Sequence, residues 1–261
     1  MKTCSRQPGP NHRERGALLQ RVGTRLPGMR TMLCRAATVV LLLVPALCAA
    51  AQQENSGVPS SPLVIADLPV ITETRRKLTE DYCHVHYGSD GRELKSPRMI
   101  VVHYTAFPTL RDSYEFFKPS LLQSSRTDIR SGGRLNIAAH FLVDRNGAIY
   151  RLAPDDVVCR HTIGFNHVAL GIENVGKDKR DLMDAQVTAD AMLISDLVKK
   201  YPTIEYLIGH YEYMDATLPH FALFRELDAG YRPTVKIDPG PEFMKRLRSV
   251  LLDKYGLRLK K

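Results

Sequence analysis

The chain has 261 residues, 44% of them hydrophobic and 25% charged, with 37 Lys and Arg against 28 Asp and Glu, a formal charge of +9 and no Trp. That length holds one ordinary domain with additions, or two small ones. A single long apolar run among so many charges excludes a multi-spanning membrane protein and a wholly disordered tail.

The basic excess is local. Residues 1–50 carry eight basic side chains and one acid, so they supply +7 of the +9 and leave the remainder near neutral at +2. A high pI would ordinarily raise nucleic-acid binding, but here the excess sits before an apolar stretch and reads as targeting; no nucleic-acid partner is expected. Residues 36–50 (AATVVLLLVPALCAA) have the length of a signal-peptide core and are short for a membrane span. Ala49-Ala50-Ala51 is a small-x-small site that places a cut before Gln52, and Met29 or Met32 is an alternative start. The chain is therefore expected to be exported, to a periplasm or beyond the cell. The alternative is an uncleaved N-terminal anchor, the one route by which a membrane becomes a partner. Cys4, Cys34 and Cys48 precede the cut, leaving Cys83 and Cys159 as either one disulfide or two part-buried thiols.

Three segments follow: residues 1–51 as signal or anchor, 52–97 as linker and N-terminal extension, and 98–255 as the main domain. Residues 52–62 are rich in Gln, Ser, Pro and Gly and read as a linker. Residues 63–96 read as a packed extension with helical character over 71–82, and no repeat of 20–50 residues is visible. Beyond Arg98 the pattern sharpens. Residues 99–103 (MIVVH) are a buried strand ending in a polar residue. Residues 138–152 form two apolar runs around Asp144-Arg145-Asn146-Gly147, a hairpin signal because Asn and Gly tolerate positive φ. Residues 167–175 and 206–209 are two further strands.

Two helices are well marked. Asp184 is placed to cap one reaching Tyr201, with Val187, Ala191, Ile194 and Val198 on one face and Pro202 as the stop. Pro241 opens the last, whose buried stripe is Phe243, Leu247, Val250 and Leu251. The fold class expected is α/β of the α+β type, a mixed central β-sheet flanked by helices.

Several side chains in this frame carry chemistry. His103 and His210 each end an apolar strand; if those strands are neighbours, two imidazoles meet at one rim of the sheet, which suits zinc. A catalytic zinc needs a third protein ligand and an open position, and Asp238 in Lys236-Ile-Asp-Pro-Gly-Pro241 is the candidate, although Asp-Pro-Gly-Pro taken alone is a turn and helix entry. Glu173 interrupts an apolar strand, where a carboxylate must be paired, protonated or poised for proton transfer, because burying a lone charge is expensive. Its bland alternative is a strand-edge salt bridge. Lys236, two positions before Asp238, leaves an extended segment on the same face and can bring an ammonium to a developing oxyanion; otherwise it is a solvated lysine.

Six segments then occur in order: VVHYTA (101–106), AHFLVDRNG (139–147), HTIGFN (161–166), LGIEN (170–174), IGH (208–210) and KIDPGP (236–241). Together, over residues 98–250, they make the chain resemble the zinc-dependent N-acetylmuramoyl-L-alanine amidases, the superfamily that also contains the peptidoglycan recognition proteins. The resemblance implies an amidase-like mixed sheet, Zn2+ held by His103, His210 and Asp238, and Glu173 and Lys236 as the catalytic pair. It further implies His161 and Asn166 as substrate-binding residues, Asn166 by helping to shape the same loop. The implied partner is peptidoglycan or a muropeptide, and the implied activity is hydrolysis of the amide between N-acetylmuramic acid and L-alanine. A non-catalytic peptidoglycan-binding module is the alternative, and a cytosolic recycling amidase is a third reading that the signal segment opposes. The 25 residues between His210 and Lys236 are more than compact amidases carry, and their aromatics either extend the groove or pack as a cap, with packing preferred. Some relatives add a catalytic tyrosine, for which Tyr104 and Tyr114 are both candidates.

Overall fold

The computed structural model describes residues 62–261; the segment expected as signal or anchor, the expected cut and all but the last residue of the expected linker lie outside them. Ten regular elements follow in chain order: β1 (Ile65–Asp67), α1 (Glu73–Tyr87), β2 (Met99–Tyr104), α2 (Leu110–Phe117), β3 (Phe141–Val143), β4 (Ile149–Arg151), β5 (Ala169–Asn174), α3 (Asp184–Lys200), β6 (Tyr206–Gly209) and α4 (Pro241–Tyr255). The six strands make one sheet in the order β1-β4-β3-β5-β2-β6. Only the β3–β4 hairpin is antiparallel, so the sheet is mixed.

Position in the sheet explains the sequence patterns. β2 and β5 are interior and parallel, covered on both faces, and open as unbroken apolar runs over 99–102 and 169–172. β3 alternates instead: Phe141 and Val143 join the large core that holds the apolar residues of α3 and α4, while Leu142 turns to a smaller core with Val70 and Phe117 of α2. In the β3–β4 turn Asp144 accepts from the Gly147 N–H, and Gly147 alone takes the left-handed conformation (φ 85°). A Cβ there would lie 2.9 Å from the Ala185 carbonyl oxygen, so the turn needs glycine on two counts.

The N-terminal extension is more than a packed appendage. β1 pairs in parallel with β4, and Tyr82, Cys83 and Tyr87 of α1 are buried in the large core, so the domain begins well before residue 98. α1 runs five residues past the expected end; Thr72 caps its start, accepting from the Arg75 N–H, and Gly88 closes it in the left-handed conformation. The Arg75 guanidinium is almost fully buried and donates to the carbonyls of Phe117, Pro119 and Asn136, tying α1 to the chain after α2. Cys83 and Cys159 are buried free thiols, each pushed up to about 12 by burial.

Some local expectations shift. Met183, not Asp184, is the cap residue of α3, and Asp184 is its first helical residue. Gln186 accepts from the Met183 N–H and donates to the carbonyls of Val143 and Val175, anchoring that helix end to β3 and the chain after β5. In α4 the buried stripe is Phe243, Met244, Leu247 and Leu251, with Val250 only partly covered. Among the described residues no helix is long and apolar enough to cross a membrane.

One buried acid gives the fold a pH signature. Asp190 on α3 is fully buried; its Oδ2 accepts from Asn174 Nδ2 at 2.9 Å and its Oδ1 has no partner. Burial pushes its carboxyl up from 3.8 to about 7, the Asn174 bond opposing. Between those values the folded chain holds a proton that the unfolded chain has released, so this residue's contribution to stability falls as pH rises through the window and stays low above it. The loss is of order 4 kcal/mol. Asp190→Asn mimics the protonated acid, so urea unfolding at a series of pH values is expected to show the variant losing less stability than the parent between pH 4 and 7 and exceeding it at pH 8. Parallel curves would contradict this.

Candidate metal centre

β2 and β6 are adjacent and parallel, with Val102 opposite Gly209, so the next residue of each, His103 and His210, comes to the same rim of the sheet. This is the carboxyl end of the strands, where open α/β sheets place their sites. The two Nδ1 atoms are 3.0 Å apart. Asp238 comes from the far side of the long insertion, and the Tyr211 N–H donates to its carbonyl oxygen at 2.9 Å, pinning the segment beside His210. Its Oδ2 lies 3.2 Å from His103 Nδ1 and 3.1 Å from His210 Nδ1. The residues expected as metal ligands therefore converge, and these three are a group able to hold a metal ion.

The donor set fits zinc. Two imidazole nitrogens and one carboxylate oxygen lie within 3.2 Å of one another, a donor set of the kind zinc takes. Ligands about 2.0–2.1 Å from a tetrahedral zinc sit roughly 3.3 Å apart, close to the spacing found. The electrostatics agree. Burial draws the His210 imidazole down to about 4, with Asp238 opposing, so the ring is neutral at physiological pH. Burial alone would raise Asp238, but His210 and His103 outweigh it and hold the carboxyl far below the carboxylate range.

Glu173 stands opposite His103 in the β2–β5 register. It is 7% exposed and its Oε2 has no hydrogen-bond partner. Burial pushes it up to about 7, with the His103 imidazole pulling it back. The strand-edge salt bridge is thus not formed. Lys236 is half-buried with Val235 and Ile237 turned outward, 94% and 65% exposed, so Lys236 and Asp238 share the inward face as the alternation predicts. Burial lowers the Lys236 ammonium, opposed by Asp238.

These groups open into one cavity of about 440 Å³, whose walls add Phe107, Phe116, Arg126, Ile163 and Tyr231. His161 lines it, yet its ring contacts His103 rather than standing free: His161 Nδ1 is 3.2 Å from His103 Nε2. Burial holds this imidazole well below its ordinary value and so neutral. Asn166 is fully buried and is not among the residues lining the cavity. Its Oδ1 accepts from the N–H groups of His161 and Thr162, and its Nδ2 donates to the Tyr82 hydroxyl. Its side chain shapes the loop from beneath and does not face the cavity, so its part in the site runs through the loop.

Residues 93–241 match the family model described as N-acetylmuramoyl-L-alanine amidase. The chain belongs to this amidase family. It is 35% identical over 144 residues to mouse peptidoglycan recognition protein 3, covering 52% of this chain and 41% of that protein. With the human protein of the same name it shares 32% identity over 106 residues, 40% of this chain and 30% of that one. The chain thus spans less than half the length of the curated relatives it matches. Among solved structures it is similar to the amidase LysC from Clostridium intestinale, at 23% identity and TM-score 0.39 over 60% of this chain and 87% of that one. It is also similar to the hydrolase AmiA from Staphylococcus aureus, at 14% identity and TM-score 0.46 over 74% and 85%.

Within this amidase-family chain the insertion after His210 packs rather than projects: Tyr213, His220 and Tyr231 are buried, and Phe221 stacks on Phe224. Tyr231 does both jobs, lining the cavity while its hydroxyl accepts from the buried Arg160 guanidinium. Of the two tyrosine candidates, Tyr104 lines the cavity, and Tyr114 instead donates to the Pro69 carbonyl away from it. Arg126, Phe107 and Phe116 were not anticipated. Arg126 belongs to a Ser/Arg-rich run without motif character, and it reaches the wall through the 3-10 turn over Thr127–Gly132 that follows it.

Proposed function

We propose that this chain is a zinc-dependent amidase that hydrolyses the bond between N-acetylmuramic acid and L-alanine in peptidoglycan or muropeptides. The observation that carries the reading is the meeting, in one cavity, of three converging ligand atoms and a buried carboxylate with an unpartnered oxygen. His103, His210 and Asp238 would hold the ion, which when bound supplies Lewis acidity, acidifying water and polarising the scissile carbonyl. Glu173 takes the proton of the attacking water at Oε2 and returns it to the leaving amine nitrogen, for which a carboxyl titrating near neutrality is suited. Lys236 Nζ offers positive charge to the carbonyl oxygen as it becomes anionic, a contribution typically about 3–4 kcal/mol per donor. Export, to a periplasm or out of the cell, belongs to the same reading, since it would bring the chain to its polymer.

The test is incubation with defined muropeptides, with and without chelator, and identification of products by mass. Separated sugar and L-alanine-terminated peptide are expected, lost on chelation and restored by zinc. Retention of intact muropeptide by a zinc-loaded protein that yields no product would instead assign a binding module, the reading to which the similarity to peptidoglycan recognition protein 3 points.

A further inference from the structure

His161 sits where a substrate residue was expected, but its contacts describe another task. Its Nε2 faces the Ala169 carbonyl at 3.3 Å. A carbonyl only accepts, so Nε2 carries the proton and Nδ1 presents a lone pair. Two groups address that lone pair: His103 Nε2 at 3.2 Å and the Thr162 hydroxyl at 2.9 Å. With His161 Nδ1 as acceptor, His103 Nε2 is the protonated nitrogen of its ring. His103 Nδ1 is then bare, and it is Nδ1 that faces His210 and Asp238.

The backbone makes room for this chain of bonds. A Cβ built on Gly171 of β5 would lie 2.9–3.0 Å from the His161 ring, so only glycine at that point lets the imidazole lie against the strand and reach His103. The ring stands at an interplanar angle of 88° to His103, with His161 Nδ1 3.2 Å from His103 Nε2. Neither observation is explained by a side chain that merely faces a groove.

We propose that His161 is a positioning residue that fixes the tautomer and orientation of His103, relaying the Ala169 carbonyl through its own ring so that His103 Nδ1 is offered to the metal. The inference rests on the zinc reading above. Partners of this kind typically alter metal affinity by about 10–100-fold.

The experiment compares the full chain with His161→Ala, His161→Gln and His161→Asn, measuring zinc affinity by chelator competition and recording the visible spectrum of each Co2+-substituted protein. Asn places its carbonyl oxygen near the position of Nδ1 and can accept from His103. Gln places its amide near Nε2, keeping the bond to Ala169 but leaving His103 without an acceptor. Zinc affinity is expected to fall about 10–100-fold in His161→Ala and His161→Gln with an altered Co2+ spectrum, and to stay near the parent's in His161→Asn. Parent-like zinc affinity in His161→Ala, with a change confined to the muropeptide KM, would overturn the proposal and restore a substrate role. Equal weakening in Asn and Ala would overturn it too. A parent chain that itself binds neither metal would remove the zinc reading, and this inference with it; that outcome is distinct because all four proteins then behave alike.

Discussion

Glu173→Gln is expected to lower kcat on a muropeptide by about 10²–10⁴-fold, the usual range for loss of a general acid–base, while zinc content stays at the parent's level. The substitution keeps the side chain's volume in a buried position on β5 and removes only the ability to take a proton. Glu173 is not one of the three converging ligands, so the metal has no direct reason to leave. Because burial already disfavours the carboxylate, the neutral amide is expected to fold at least as stably as the acid at pH 8. Loss of rate with intact metal and intact fold is the signature of a residue acting on the reaction itself. Undiminished turnover with zinc bound would remove Glu173 from the chemistry and leave Tyr104 as the next cavity-lining group to test.

How much of this was legible beforehand depended on the range of the signal. The interior strands were readable because burial on both faces leaves an unbroken apolar run, and in the sequence that run stops at His103 and His210, although β2 itself continues to Tyr104. Glu173 stood out by violating such a run. β1 and α2 were not read: three residues at a sheet edge carry too little periodicity to separate from loop, and a helix of eight residues makes only two turns, a short window in which an amphipathic pattern is easily passed over. The extension was set apart from the domain because nothing local signals that residues 65–67 will pair with 149–151. His161 was assigned to the right cavity with an incomplete role, since a histidine in a loop says nothing about which neighbour its two nitrogens will meet. Asn166 acts on the same loop, its side chain taken up by backbone N–H groups four and five residues earlier, and a sequence does not distinguish such a turn interaction from a side chain free to meet a ligand.

Asp238→Ala is expected to weaken zinc binding by more than the roughly 100-fold upper range of an outer partner, and to abolish chelator-sensitive hydrolysis. The carboxylate is the one acidic member of the set, and without it two imidazoles with nitrogens 3.0 Å apart remain. The segment itself should stay in place, because its tie to Tyr211 runs through the Asp238 backbone carbonyl and survives truncation of the side chain. Asp238→Cys supplies the counter-case. A thiolate is a good zinc ligand whose longer bond, about 2.3 Å, compensates in part for the shorter side chain, so zinc is expected to be retained much better than in Asp238→Ala. The pair therefore asks whether position 238 acts as a ligand or as a turn. Equal loss of zinc in both, measured by chelator competition on folded protein, would count against coordination from this position, whereas recovery in the thiol variant would show that a donor atom is what the site requires there.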